Sequence, residues 1–279
     1  MTTSATPQQG ASDCVVFSST ERRQAWAIHL LTASGLIVGM LALNNILLGH
    51  PRSAMVWLWA TQVIDGIDGP IARSYHVKER VPKIDGYVLD LIIDFVTCVI
   101  IPAAFIHEFH LLPSRYSLVL TGLVVLSGAI WFSRTDMMTD DHWFRGFPAV
   151  WNLAAPTLLL LGTRPWIAAV AVVVLAVCSF TDIPCPHPVR VAQWRKITLP
   201  VTVAWLGAMI WLTLIFHRGQ QSPPFLHITS PFGLRMLLIA APLYFVVLAW
   251  VRHFDLKPAS AVTHVAVGGS NELSQPKSA

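Results

Sequence analysis

Apolar residues along the chain fall into eight blocks, roughly 26–48, 53–74, 87–106, 116–133, 148–163, 165–181, 197–216 and 232–253. Charges, Pro or Gly bound each block, and most approach the ~20 apolar residues that a helix needs to cross a bilayer. The fifth and sixth blocks are short and are divided only by Gly162-Thr163-Arg164-Pro165. Polar stretches flank the whole. The first twenty residues are rich in Ser, Thr and Gln, without the basic start and cleavage pattern of a signal peptide, and the chain is polar again from about Lys257. The pattern predicts an all-α membrane protein, a bundle of about eight transmembrane helices with a cytoplasm-facing site. One membrane domain over 25–254 lies between polar cytoplasmic tails over 1–24 and 255–279.

Composition strengthens that reading. Hydrophobic residues make up 54% and charged residues 12%, with mean hydropathy +0.58; soluble domains carry about 25% charged residues. A disordered chain, a disulfide-stapled mini-protein and an ordinary soluble enzyme are excluded. The net charge of +4 is not a nucleic-acid signal, because no Lys/Arg-rich run accompanies it. Basic loops facing an anionic cytoplasmic leaflet account for it. With the N-terminus inside, the predicted inner loops and tails hold 14 of the 19 Lys and Arg, which places both termini in the cytoplasm. Cys14, Cys98, Cys178 and Cys185 are too scattered for a disulfide framework, and Cys185-Pro186-His187 offers too few ligands for zinc.

The acids change the picture. Asp65 and Asp68 lie within the second block, Asp90 and Asp94 within the third, and Asp85 just before it. A charge at mid-bilayer costs roughly 2.5–3.5 kcal/mol on insertion scales, so a cluster needs compensation. The i, i+3 and i, i+4 spacings put each pair on one helix face. A short inner loop joins the two helices, so the four carboxylates converge near the cytoplasmic end. Divalent cations with hard oxygen preferences, Mg²⁺, Mn²⁺ or Ca²⁺, would neutralise them, and a pair of ions would also clamp a phosphate. Gly66, Gly69 and Gly86 permit close approach of a ligand or a helix, and Arg73 follows as a candidate phosphate contact. Intramembrane acids also serve as proton relays in transporters, and Gly in a membrane helix commonly serves packing alone.

Asp65-Gly66-Ile67-Asp68-Gly69-Pro70-Ile71-Ala72-Arg73, followed by Gly86-x3-Asp90-x3-Asp94, resembles the signature D-x2-D-G-x2-A-R…G-x3-D-x3-D of the CDP-alcohol phosphatidyltransferases. Every signature residue is present. The spacer over 74–85 is longer than the general family's. That spacer, the segment Phe144-Arg145-Gly146-Phe147-Pro148-Ala149-Val150-Trp151-Asn152 and the basic stretch from Pro188 to Lys196 resemble the bacterial phosphatidylcholine synthase branch. The likeness covers about residues 25–215.

The resemblance implies transfer of a phosphatidyl group from CDP-diacylglycerol to choline at a bacterial inner membrane, with CMP released. It implies Mn²⁺ or Mg²⁺ in a two-metal site held by Asp65, Asp68, Asp90 and Asp94, with Asp94 also the catalytic general base. Gly69, Ala72 and Arg73 then line the nucleotide and diphosphate site. Choline's quaternary ammonium is held against aromatic faces. Tyr87, Trp131 and Trp151 are therefore candidate choline contacts, and Arg145 a candidate phosphate contact. Serine, inositol or a glycerol phosphate as acceptor, and an ion-coupled transporter, are the alternatives. A homodimer is compatible with this reading, and no nucleic-acid partner is expected.

Overall fold

The computed structural model describes residues 17–188, 191, 193–216 and 232–255. Most of both predicted tails, including Lys257 and Lys277, and Arg190 of the basic stretch lie outside the described residues. Each of the eight apolar blocks coincides with a helical element. These are α1 (Ser19–Leu47), α2 (Pro51–Ser74), the run of α4 (Gly86–Asp94), a π-helical stretch (Phe95–Ile100) and α5 (Ile101–Glu108), then α6 (Ser117–Phe132), α7 (Trp151–Leu160), α8 (Pro165–Cys178), α9 (Arg195–Ile215) and α10 (Phe232–Asp255). A single turn, α3 (Val77–Arg80), follows α2. Two short strands, β1 (Trp143–Arg145) and β2 (Pro184–Pro186), pair antiparallel.

Among the described residues, four elements are long and apolar enough to cross a membrane: Ser19–Leu47, Gly86–Glu108, Arg195–Ile215 and Phe232–Phe254. α2 is equally long, but its acids lower its hydropathy. α6, α7 and α8 are shorter apolar helices. The outward faces suit lipid: Leu118, Val119, Ile37 and Val203 are largely exposed. The interior is packed by Met55, Leu58, Phe105, Val124, Trp151 and Met209.

α1 begins at Ser19 and not at residue 26, where its apolar block starts. The cause is a capping box. Ser18 Oγ accepts from Glu21 N, and the Glu21 carboxylate accepts from Ser18 N at 2.8 Å, so two backbone donors are satisfied ahead of the apolar face. The π-helical stretch in the third block has its own cause. Pro102 has no N–H to give to residue 98, and its ring would crowd that carbonyl. Widening the preceding turn relieves both.

Ion pairs tie the loops together on the side predicted to be inner. Arg80 reaches Glu21 at 3.3 Å, Arg134 reaches Asp182 at 2.6 Å, and Arg252 reaches Asp141 at 2.6 Å. Tyr116 and Trp166, at the predicted outer ends of the fourth and sixth blocks, pack ring to ring.

Helix approach is tightest where α6 meets the π-helical stretch. A Cβ on Gly128 would lie 2.6 Å and 2.7 Å from the two methyl groups of Val99, which is itself fully buried. Gly128→Ala is therefore expected to destabilise the bundle by about 1–3 kcal/mol through overpacking. Thermal unfolding in detergent should show a lowered midpoint with activity per folded molecule retained.

Candidate active site

α1 packs along α2 more extensively than any other pair of elements, and it also touches α4, so the acid-bearing helices share one neighbour. α2 and α4 bring one carboxylate oxygen each from Asp65, Asp68 and Asp90 within 4.8 Å of one another. Asp65 is exposed, Asp90 half-buried and Asp68 only 4% exposed. At such a separation each ionised pair repels by about 3 kcal/mol, taking an effective dielectric near 20. Asp94 stands outside this trio but feels the charges of Asp65, Asp90 and Asp68. It closes α4, and the π-helical stretch begins at the next residue. The donor set fits a hard divalent cation: three carboxylates, oxygen ligands only, gathered from two helices.

Beside the trio opens a cavity of about 430 Å³. Asp68 and Asp90 line it, as do Gly69, Ala72 and Arg73 from α2 and Tyr87 from α4; Asp65 and Asp94 do not. The rest of its polar wall is mixed: His76 just before α3, Lys78 and Glu79 within it, Asp85 before α4, and His29 and Thr32 from α1. The trio thus meets the cavity through Asp68 and Asp90, while Asp65 and Asp94 lie off it.

Gly69 and Gly86 have separate reasons for lacking a side chain. A Cβ on Gly69 would lie 3.3 Å from Arg73 Nη1, so the guanidinium rests over the bare backbone. A Cβ on Gly86 would lie 3.3 Å from His29 Cε1. Asp85 is the N-cap of α4, its Oδ1 accepting from Tyr87 N at 2.9 Å and from Val88 N at 3.3 Å. It thereby holds the start of α4 in place while also lining the cavity.

Sequence reasoning missed several residues of this site. His29 is 7% exposed, its Nε2 is buried without a hydrogen-bond partner, and it lines the cavity with Thr32. Gln62, one turn before Asp65, donates from Nε2 to Asp65 Oδ2 at 2.9 Å. Asn152, at the start of α7, donates from Nδ2 to Gln62 Oε1 at 2.6 Å.

The remaining predicted contacts divide. Tyr87 is 60% exposed at the cavity. Trp131 is buried, with Nε1 donating to the Arg145 carbonyl at 3.0 Å and its ring edge-on to Phe144. Trp151 is fully buried, edge-on to Phe147, in the core where α7 starts. Neither Trp lines the cavity. Arg145 lies in β1, 3.7 Å from the Asp136 carboxylate. Arg134, hydrogen-bonded to that same carboxyl, holds it below the usual carboxylate range.

The chain is 40% identical over 185 residues to a phosphatidylcholine synthase of Pseudomonas aeruginosa, covering 66% of this chain and 78% of that one. It is 35% identical over 222 residues to the phosphatidylcholine synthase of Rhizobium johnstonii, covering 80% and 91%. The chain belongs to the phosphatidylcholine synthase family. A further relative, from Borreliella burgdorferi, is 34% identical over 194 residues, covering 70% and 82%. No family model matches the chain. Family membership therefore rests on whole relatives, and the acid signature gives it a physical centre: the motif residues converge in space on the trio and its cavity.

Proposed function

We propose that the protein transfers the phosphatidyl group of CDP-diacylglycerol to choline, forming phosphatidylcholine and CMP. The observation that carries this reading is the carboxylate trio of Asp65, Asp68 and Asp90 set against a cavity whose wall includes Arg73 and Lys78. The cavity side takes the cytidine diphosphate portion of the donor. Gly69 and Ala72 give it a low wall, and Arg73 and Lys78 face its phosphates. The lipid half of the donor lies along the apolar helix surfaces.

Asp65, Asp68 and Asp90 would hold Mn²⁺ or Mg²⁺, and Asp94 would help to hold a second ion. When bound, the ions neutralise the diphosphate and the charge developing on departing CMP. Asp94 takes the proton of the choline hydroxyl as its oxygen bonds to the phosphatidyl phosphorus and the bond from that phosphorus to CMP breaks. Its place at the C-terminal end of α4, off the cavity, leaves it free for the acceptor side. Tyr87 presents an exposed ring at the edge of the site for the ammonium, which takes no ordinary hydrogen bond.

The same reading makes all eight apolar helices membrane crossings of the bacterial inner membrane, with one membrane domain over 25–254 and both termini in the cytoplasm. The ion pairs that join the inner loops support that arrangement. A proton path would need acids spread through the membrane depth, whereas these gather at one end.

Acceptor choice is tested by giving purified protein CDP-diacylglycerol, a divalent cation and an equimolar mixture of choline, serine, inositol and glycerol phosphate. Mass spectrometry should find phosphatidylcholine as the dominant lipid product. Dominance of any other product would overturn the acceptor assignment. The wall residues have their own test. Gly69→Leu places a bulky side chain on this low wall against the Arg73 guanidinium, so KM for the donor should rise several-fold while KM for choline stays put. An unchanged donor KM would contradict the placement of the diphosphate.

A further inference from the structure

We infer that Gln62 and Asn152 form a positioning relay that fixes the Asp65 carboxylate for metal binding and couples α7 to the acid site. The inference rests on the reading of Asp65 as a metal ligand. Its geometry is a chain of two hydrogen bonds running from the buried start of α7 to the exposed end of the trio. Asn152 Nδ2 donates to Gln62 Oε1 at 2.6 Å, and Gln62 Nε2 donates to Asp65 Oδ2 at 2.9 Å.

Chemistry fixes the direction of this chain. An ionised carboxylate only accepts, so Gln62 must turn its amide nitrogen toward Asp65. Its carbonyl oxygen then faces away and needs a donor. Asn152 supplies one, and in doing so leaves its own Oδ1 buried without a hydrogen-bond partner. Asn152 is only 2% exposed. A buried unsatisfied acceptor costs about 1–3 kcal/mol, which an apolar side chain of the same shape avoids. The side chain is thus set by what Gln62 requires and not by its own satisfaction.

The segment leading to Asn152 is held rigidly. Gly146 adopts φ +76°, and a Cβ there would lie 2.5 Å from the Cys178 carbonyl oxygen. Ala149 is also left-handed at φ +52° and fully buried. Trp131 clamps the Arg145 carbonyl, and Trp151 fills the core beside Asn152. The relay therefore ends on a fixed point. Asp65 is the exposed member of the trio, so it is the carboxylate with most freedom to turn, and a hydrogen bond to one oxygen orients the other toward the metal. Groups that orient metal ligands in this way typically change metal affinity 10- to 100-fold when removed.

The test is Mn²⁺ binding to detergent-solubilised protein without substrate, read by the electron paramagnetic resonance signal of free Mn²⁺. Gln62→Met and Asn152→Leu keep size while removing the donors, and Asp65→Asn serves as the reference. Asp65→Asn should abolish high-affinity binding. Gln62→Met should weaken it about tenfold or more, and Asn152→Leu should weaken it in the same direction. The double variant should bind no worse than Gln62→Met, because Asn152 acts through Gln62. A purely structural role for Asn152 would give losses that add. Wild-type affinity in Gln62→Met, or additive losses in the double variant, overturns the relay while the reading of Asp65 stands. Wild-type affinity in Asp65→Asn overturns both. If Asn152→Leu fails to fold, Gln62→Met, on a half-buried residue, decides alone.

Discussion

Asp94→Asn is expected to lower turnover about 100- to 10,000-fold, the range typical for loss of a general base. Asn keeps the shape of the side chain and one coordinating oxygen but cannot take a proton. Asp94 ends α4 where the helix widens into the π-helical stretch, outside the carboxylate trio yet within reach of its field. It also stands off the cavity assigned to the nucleotide. Metal affinity and CMP affinity should therefore change little while the rate collapses. The decisive comparison is rate against binding in the same preparation. If the rate falls only in proportion to lost metal, Asp94 serves as a ligand alone and another group takes the proton.

Asp68→Asn is expected to be comparably severe by a different route. Asp68 is the buried member of the trio and, like Asp90, lines the cavity. Asn in its place offers only a neutral, weaker oxygen donor and removes the repulsion the carboxylate exerts, about 3 kcal/mol for each ionised neighbour at this separation. Two opposite effects follow. In excess chelator the variant should unfold at a higher temperature than the wild type, because the crowded charges are relieved. With divalent cation added, the wild type should gain stability, about 2.7 kcal/mol at a concentration one hundred times its dissociation constant, and the variant should gain almost none. A variant that is stabilised by metal as strongly as the wild type would contradict the ligand assignment.

The helices and the acids were legible for simple reasons. Twenty apolar residues in a row have few alternatives to a helix, and each of the eight blocks became one. Four Asp in two adjacent apolar runs at helical spacing must converge or be expelled. The start of α1 was also readable, since Ser18-x-x-Glu21 is a capping box, but hydropathy alone placed it later. Asp85 carried a similar signal, an Asp immediately before a helix.

What stayed hidden depends on long-range packing. Nothing local distinguishes His29 from a histidine satisfied in a core; its role appears only when α1 lies across Gly86. Gln62 and Asn152 are separated by 90 positions, and no periodicity links them. The tryptophans misled in the opposite sense. Trp131 and Trp151 lie close in sequence to charged and motif residues, but the bundle uses them as buried braces for the segment entering α7. An aromatic count measures supply, and only the fold assigns the faces.

The central claim is that one acid cluster, formed where α2 meets α4, performs phosphatidyl transfer to choline. The most direct measurement uses purified protein in mixed micelles of detergent and CDP-diacylglycerol, with choline and Mn²⁺, following CMP and phosphatidylcholine together. The account predicts that the two products appear one for one, that neither appears in excess chelator, and that Asp94→Asn suppresses both equally. CMP released without choline and without phosphatidylcholine, or full turnover in chelator with negligible residual metal, would contradict it.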